Sequence, residues 1–129
     1  MAARRKVTVV NVSSLAATSP FEYWSLYCAG KSARDMFHKC IAHEAEKRGL
    51  HSQVRVLNYA PGPLDTRMQA AIREDMPAGE LRDAFLGMHR ENKLISPLDS
   101  ARVMVRLLEV DKYDNGAHVD YYEVVQPSQ

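Results

Sequence analysis

Three segments of the chain carry the apolar, β-branched pattern of buried strands. Lys6–Val12 (KVTVVNV) has little alternation, which is typical of a strand buried on both faces of a parallel sheet. Gln53–Tyr59 (QVRVLNY) alternates and is rich in β-branched residues. A third segment, Ala117–Val124, follows the turn residues Asp114–Gly116. The pattern therefore predicts three strands separated by longer connections.

Helical periodicity marks the connections between these strands. The apolar residues of Trp24–Arg48 recur at the helical period, and Gly49 is a natural C-cap. A second long helix opens at Ser96 or Pro97 and runs to about Glu109. Strands alternating with helices of this length predict an α/β fold built on a parallel sheet.

The pattern is weaker between the second strand and the last long helix. Pro61–Pro63 ends the strand abruptly, and Asp65 or Thr66 can cap a short helix over Arg67–Ile72. The segment Met76–Lys93 is charged and contains two glycines, which weaken it as a helix. We expect this segment to be a mobile lid and not a core element.

Composition and charge narrow the class of protein. The 129 residues suffice for one domain, 1–129, and the net charge of +1 gives no electrostatic case for binding nucleic acid or a membrane surface. No apolar stretch approaches the roughly 20 residues of a membrane span, and no signal peptide is visible. We therefore expect a cytoplasmic protein.

The cysteines and histidines predict neither a disulfide nor a metal site. Cys28 and Cys40 lie twelve residues apart on the predicted helix, which separates them by about 18 Å and leaves them as free thiols. No Cys-x-x-Cys pattern occurs, and the five histidines lack the spacing of metal ligands.

Candidate chemistry lies at the end of the first strand and the start of the first helix. Tyr27 and Lys31 are four residues apart, so they share a helix face. A free phenol has a pKa of about 10, and a neighbouring cation lowers it. Ser14 could hold a carbonyl oxygen while Tyr27 protonates it, which predicts a general-acid site for carbonyl reduction. Taken singly, a serine pair after a strand is more often a turn, and such a Tyr–Lys pair is more often solvated.

Three motifs together resemble the C-terminal half of a short-chain dehydrogenase/reductase. They are Asn11-Val12-Ser13-Ser14, Tyr27-x-x-x-Lys31 and Pro61-Gly62-x-x-x-Thr66, in this order. The resemblance implies a partial Rossmann-like, doubly wound, three-layer fold that lacks the N-terminal βαβ units. A finer match, which includes Gly116–Asp120 (GAHVD), resembles the members that use NADPH to reduce pterin side-chain ketones in tetrahydrobiopterin synthesis.

The resemblance also assigns roles to individual residues. It implies that Ser14 positions the carbonyl, that Tyr27 donates the proton, and that Lys31 lowers the pKa of Tyr27 and binds the nicotinamide ribose. Asp120 would anchor the pterin ring, because a carboxylate can accept two hydrogen bonds from an amino-pyrimidine edge. The implied cofactor-binding residues are Tyr27, Lys31, Leu64, Asp65, Thr66, Arg67, Met68 and Gln69. The implied substrate-binding residues are Ser14, Leu15, Tyr27, Gly62 and Asp120.

The sequence departs from the family in its cofactor site. No G-x-G-x-x-G fingerprint occurs, so we expect NADPH to bind weakly and reductase activity to be small or absent in these residues alone. The strand Lys6–Val12 would then expose an apolar edge that favours association. Related enzymes are often dimers through the Tyr-bearing helix, so a homodimer is a further expectation.

Two alternatives stand beside the pterin reductase. The first is a broader short-chain carbonyl reductase with another ketone substrate, and Asp120 discriminates it, because only a pterin would need that carboxylate. The second is a truncated, non-catalytic product that persists as an interaction module or misfolds. A glycine-rich strand–turn–helix encoded upstream of Met1 would instead favour an incomplete gene model.

Overall fold

A parallel three-stranded sheet forms the centre of the protein, whose computed structural model describes residues 5–127. The elements in chain order are β1 (Val7–Val12), α1 (Ser25–Lys47), β2 (Val54–Ala60), α2 (Arg67–Asp75), α3 (Glu80–Arg90), α4 (Pro97–Val110), β3 (His118–Asp120) and α5 (Tyr121–Val125). A 3₁₀ turn, Leu15–Ala17, follows β1. The strand order is β1-β2-β3 with both pairs parallel, which confirms the predicted α/β fold.

The central strand β2 supplies most of the core. Its residues Val56, Leu57, Asn58, Tyr59 and Ala60 are all buried. In the sheet Val12 of β1 lies beside Tyr59, and Ala60 lies beside Asp120 of β3. The carboxyl ends of all three strands therefore meet at one edge, where open α/β sheets bind ligands.

Helices cover both faces of this sheet. Asn58 donates to the backbone carbonyl of Asp35 in α1, whereas the Tyr59 hydroxyl donates to the carbonyl of Ser100 in α4 at 2.9 Å. Successive side chains of a strand point to opposite faces, so α1 and α4 lie on opposite sides of β2. The arrangement is the three-layer, Rossmann-like fold that the sequence resemblance implied.

The third strand is much shorter than predicted. The expected strand Ala117–Val124 is a three-residue strand, His118–Asp120, followed at once by α5. The Asp120 carboxylate accepts the backbone N–H of Tyr122 at 2.9 Å and so caps the first turn of α5. This cap ends the strand in spite of the β-branched and aromatic residues that follow.

The segment that we predicted as a mobile lid and not a core element contains a helix with a buried side chain. α3 covers Glu80–Arg90, Phe85 is buried, and Gly79 lies outside the helix as its N-cap. Gly87 is tolerated inside the helix, because a single glycine costs only about 1 kcal/mol there. The prediction that the two glycines weaken a helix in this segment was therefore wrong.

Two further features bear on the sequence predictions. Cys28 and Cys40 are both free, as predicted from their spacing. Among residues 5–127, no helix combines the length and the apolar character that crossing a membrane requires.

Candidate active site

The two serines after β1 face different surroundings. Ser13 is buried, and its hydroxyl donates to Asp35 Oδ1 at 2.5 Å. Ser14 is half-buried, and its Oγ accepts the backbone N–H of Ala16 at 3.1 Å, which caps the 3₁₀ turn. That bond occupies a lone pair and leaves the Ser14 hydroxyl proton for another acceptor. The serine predicted to be catalytic is thus the one that can still donate.

Tyr27 and Lys31 lie together at the start of α1. The Nζ of Lys31 is 5.7 Å from the centre of the Tyr27 ring, which is within the range of a cation–π interaction. The same Nζ donates to the backbone carbonyl of Val12 at 2.9 Å. Lys31 therefore joins the helix to the last residue of β1, two residues before Ser14.

The environment of Lys31 alters its protonation. Partial burial lowers the pKa of Lys31 below its ordinary value, and the nearby Arg34 guanidinium lowers it further. The carboxylate of Asp35 acts in the opposite direction. Lys31 consequently releases its proton more readily than an exposed lysine would.

The 3₁₀ turn that Ser14 caps is attached to the same helix. The Ser32 hydroxyl donates to the carbonyl of Ala17 at 2.8 Å, and the Cys28 thiol lies 4.0 Å from the carbonyl of Ser19. Both helix residues are close in sequence to Tyr27 and Lys31. The turn and the start of α1 therefore form one structural unit.

An aromatic cluster surrounds Trp24 beside Tyr27. The centre of the Trp24 side chain is 5.4 Å from the Tyr27 ring, 5.7 Å from the Phe21 ring and 5.5 Å from the Phe85 ring. Phe85 belongs to α3, so this cluster is also where α3 packs beside the start of α1. Aromatic pairs at such distances stabilise one another by about 0.5–1.5 kcal/mol beyond their burial.

A mostly apolar cavity of about 400 Å³ opens beside this cluster. A second cavity of about 370 Å³ shares four of its lining residues and continues along α2 to Asp75, Met76 and Pro77. The first cavity is lined by Tyr23, Trp24, Ser25, Leu26, Tyr27, Met68 and Ile72. Tyr27 and Met68 are the predicted site residues that line it. Ser14, Leu15, Gly62 and Asp120 do not appear in its lining.

Sequence reasoning missed the aromatic wall of this cavity. Tyr23 lines both cavities with a φ of +67°, an unusual conformation for a bulky residue, and its side chain is largely exposed. Trp24 and Ile72 were also not predicted as lining residues. The run Phe21–Trp24, with three aromatic residues just before the helix of Tyr27, was the available signal.

The segment Leu64–Gln69 runs from a short bridge into α2. Leu64 pairs with Ile95, and Asp65 donates its backbone N–H to the Ile95 carbonyl at 3.0 Å. Thr66 is the N-cap residue of α2 but makes no side-chain cap bond. Gln69 is buried, and its Oε1 has no hydrogen-bond partner among the described residues. Arg67 and Met68 are exposed.

Gly62 and Asp120 lie near the carboxyl ends of β2 and β3. Gly62 has a φ of +78°, and a Cβ at this position would lie 2.5 Å from the Cδ1 of Ile95. Asp120 uses Oδ1 to cap α5, which leaves Oδ2 without a bond of its own among the described residues. Leu15 is half exposed beside Ser14. The structure therefore places Gly62 and Asp120 near the carboxyl ends of their strands, and neither they nor Leu15 line the cavity.

No metal centre accompanies the site in residues 5–127. Within that range, no three His, Cys, Asp or Glu side chains are grouped so that they could hold a metal ion.

Comparisons with known proteins identify close relatives. Rat sepiapterin reductase is 47% identical over 117 residues, and the Xenopus tropicalis sepiapterin reductase is 46% identical over 115. These matches cover 91% and 89% of this chain but 42% of each relative. The Bacillus cereus benzil reductase that forms (S)-benzoin is 36% identical over 84% of this chain and 43% of its own.

Solved structures agree with the sequence relatives. The crystal structure of the KRED1-Pglu enzyme aligns with a TM-score of 0.73 at 30% identity, over 87% of this chain and 46% of its own. A short chain dehydrogenase/reductase from Saccharomyces cerevisiae aligns with a TM-score of 0.71 at 29% identity, over 88% of this chain and 45% of its own. This chain thus spans less than half the length of the relatives it matches.

The family assignment follows from a direct match to a family model. The model described as short chain dehydrogenase matches residues 1–77, which include β1, α1, β2 and α2. With the Ser14, Tyr27 and Lys31 arrangement already described, the match shows that the chain belongs to the short-chain dehydrogenase/reductase family of oxidoreductases.

Proposed function

We propose that this chain is the proton-delivery and substrate-binding part of an NADPH-dependent reductase that acts on ketones in pterin side chains. The observation that carries the proposal is the position of Lys31 Nζ, which lies over the Tyr27 ring and bonds the Val12 carbonyl at the end of β1. One cation thereby connects the proposed proton donor with the strand that leads to Ser14.

The chemistry divides between three side chains. The Ser14 hydroxyl donates a hydrogen bond to the carbonyl oxygen of the substrate and fixes its orientation. Tyr27 then gives its phenolic proton to that oxygen as negative charge develops on it. The Lys31 ammonium stabilises the phenolate left on Tyr27. When NADPH is bound, it supplies the hydride that reduces the carbonyl carbon.

The residues Leu64–Gln69 fit a nicotinamide cofactor. Within residues 5–127 the buried Gln69 Oε1 has no hydrogen-bond partner, and a buried polar atom of this kind calls for an outside ligand. The first turn of α2 has no side-chain cap at Thr66, so its N–H groups are available to an anionic group such as a phosphate. We propose that Leu64, Asp65, Arg67 and Met68 line this site, and that Tyr27 and Lys31 contact the nicotinamide ribose.

The proposed substrate is flat and partly apolar. The cavity beside Tyr27 has aromatic and aliphatic walls, which suit a heteroaromatic ring. The sepiapterin reductases are relatives at 44–47% identity, which supports a pterin as that ring. We propose that Leu15 and Gly62 contact the substrate. The Oδ2 of Asp120 lies outside that cavity and has no bond of its own among the described residues, so it would accept hydrogen bonds from a pterin edge that extends beyond the cavity.

The chain spans about two fifths of the length of its relatives, so the proposal is tested in a chimera that supplies the rest of the enzyme. The chain would replace the matching segment of rat sepiapterin reductase, and NADPH oxidation with sepiapterin would be followed by absorbance. We expect turnover in the chimera and a loss of about 10²-fold or more in its Tyr27→Phe variant. Tyr122→Phe is the matched control, since Tyr122 is an exposed tyrosine outside the site.

Two outcomes of this experiment would contradict the proposal. One is a folded chimera that binds NADPH but does not reduce sepiapterin, and the other is unchanged turnover in the Tyr27→Phe variant. The chain alone is assayed in parallel, and we expect it to show little turnover, because it contains no glycine-rich phosphate-binding motif.

A broader carbonyl reductase is the second candidate function. The benzil reductase of Bacillus cereus is also a relative, and its substrate by name is not a pterin. Asp120→Ala in the chimera discriminates the two candidates: a pterin reductase should lose most of its sepiapterin turnover and keep its turnover of benzil. Equal effects on both substrates would favour the broader reductase.

A further inference from the structure

A buried carboxylate, Asp35, lies one helical turn beyond Lys31 on α1. The side chain of Asp35 is 5% exposed, and three polar side chains converge on it. Its Oδ1 accepts the Ser13 hydroxyl at 2.5 Å and the Asn11 amide at 3.0 Å, whereas its Oδ2 lies 2.6 Å from His118 Nδ1. A charged group this deeply buried is tolerated only when its oxygens are well bonded, and both oxygens are.

The network extends to all three strands. Asn11 belongs to the end of β1, Ser13 follows that strand directly, and His118 is the first residue of β3. Asn58 of β2 accepts from the Asn11 amide at 2.9 Å and donates to the backbone carbonyls of Asp35 and Gly116. The side chain of one helix residue thus contacts two strands directly and reaches the third through Asn11.

The combination of serine, histidine and aspartate here is not a hydrolytic triad. In such a triad the two ring nitrogens of the histidine divide the work, one toward serine and one toward aspartate. Here the Ser13 hydroxyl, at 3.4 Å, and the Asp35 carboxylate both lie against Nδ1 of His118, and Ser13 donates directly to the carboxylate. Ser13 is also buried, so the cluster holds residues in place and does not activate a nucleophile.

Each arm of the network adjoins a residue of the proposed site. Ser13 precedes Ser14, and His118 precedes Asp120 by two residues. Asp35 lies four residues after Lys31, on the same face of α1. Asp35 also acts on Lys31 electrostatically, because its negative charge raises the pKa of Lys31 against the lowering by burial and Arg34.

We propose that Asp35 is the positioning residue of the active site, and that its bonds to Asn11, Ser13 and His118 fix the register of α1 against the strand ends so that Lys31 stays on the Val12 carbonyl. The inference rests on the proposed function for its catalytic meaning, but the placement of Lys31 can be measured without turnover.

Competitive acylation of lysines in the purified chain measures this placement. Dilute acetic anhydride labels each amine according to its accessibility and its neutral fraction, and mass spectrometry reads the ratio of Lys31 to Lys39, which lies on the same helix. In Asp35→Asn we expect this ratio to rise by about threefold or more, the size of effect that loss of one hydrogen bond has on a local equilibrium. A rise is also expected in Ser13→Ala, which keeps the Asp35 charge and so separates positioning from electrostatics.

Ala45→Gly is the matched control, because Ala45 is buried on α1 far from the network and glycine destabilises the helix. This variant should leave the ratio unchanged while lowering stability. An unchanged ratio in Ser13→Ala would overturn the proposal whatever Asp35→Asn shows, because a rise confined to Asp35→Asn follows from the loss of its charge alone. Labelling needs neither NADPH nor a pterin, so failure of the proposed function leaves this result readable.

In the active chimera, Asp35→Asn should lower kcat with little change in KM.

Discussion

The two serine residues that follow β1 have different surroundings and therefore different chemistry. Ser13 and Ser14 are adjacent, yet the first is buried on a carboxylate and the second is half-buried at a turn. Neighbouring residues of an extended chain point in opposite directions, so one hydroxyl faces α1 and the other is left free to donate. The sequence motif contains both serines, and the difference in environment decides which one can bind a substrate.

This difference predicts unequal costs for two alanine substitutions. Ser13→Ala removes a buried hydrogen bond to a charged group and should lower the free energy of unfolding by about 1.5–3 kcal/mol. Ser14→Ala removes a cap of a three-residue turn and should cost about 0.5–1 kcal/mol. Urea denaturation of both variants measures the two values. Equal costs, or a larger cost for Ser14→Ala, would contradict the environments described here.

The raised pKa of Tyr59 predicts that the protein loses stability at high pH. Burial raises the pKa of Tyr59 above its ordinary value of about 10, and the charges of Tyr121 and Asp120 add to the rise, although the bond to Ser100 opposes it. Its contribution to stability is therefore complete below pH 10 and is lost as the pH rises through the higher folded pKa.

The matched variant Tyr59→Phe checks the sign of this dependence. It removes the ionisable hydroxyl and should weaken the decline in unfolding free energy above about pH 10. Part of the decline should remain, because burial also raises the pKa values of Tyr113 and Tyr122. A decline of the same steepness in Tyr59→Phe would show that Tyr59 does not titrate in this way.

At the scale of elements, the sequence predicted the helices and strands whose bounds depend on the local pattern of apolar residues. The boundaries of β1, α1, β2 and α4 are each within one residue of the prediction, because long apolar periods and strong end signals such as Gly49 determine them. The predicted end of β3 was wrong, because the strand ends where the Asp120 carboxylate accepts a single hydrogen bond from the backbone N–H of Tyr122. β-Branched and aromatic residues in α5 gave the opposite signal, and a local cap overrode it.

The same distinction applies to the site. Ser14, Tyr27, Lys31 and Gly62, the proposed site residues, stand in motifs, so the sequence alone indicates them as candidates. The contact of Phe85 with Trp24 could not be found in this way, because it joins α3 to the start of α1 across more than sixty residues of chain. Tertiary contacts of this kind leave no periodic trace in a single sequence.

The contact between α3 and Trp24 predicts a local change in stability. Phe85 is the buried residue of α3, and α3 otherwise packs mainly on α2. Phe85→Ala should therefore speed hydrogen exchange of the α3 amides while the amides of β2 stay protected. The fluorescence of Trp24, the sole tryptophan of the chain, should change as well. Uniform acceleration across both elements would instead show that α3 belongs to the global folding unit.

At the scale of the whole molecule, the sheet has a free edge. The backbone N–H of Val7 donates to the carbonyl of Gln53, just before β2, and that of Ser13 donates to the carbonyl of Tyr59 in β2, each at 2.7 Å. Because N–H groups alternate in direction along a strand, those of Thr8, Val10 and Val12 point away from β2. Among residues 5–127 no strand pairs with them, and the side chains of Val7 and Val12 are half exposed. The relatives are more than twice as long as this chain.

The free edge of β1 predicts that the isolated chain associates through it. An exposed apolar strand edge is a template for pairing with a second strand. Thr8→Pro removes one outward N–H and keeps every bond from β1 to β2, so it should block pairing without unfolding the sheet. Sedimentation velocity over a range of concentrations should show association in the parent chain and in the control Thr8→Ala, and a monomer in Thr8→Pro. Association that persists in Thr8→Pro would instead point to the exposed face of α1, where Leu26 and Phe37 lie, and would favour the homodimer expected from the family.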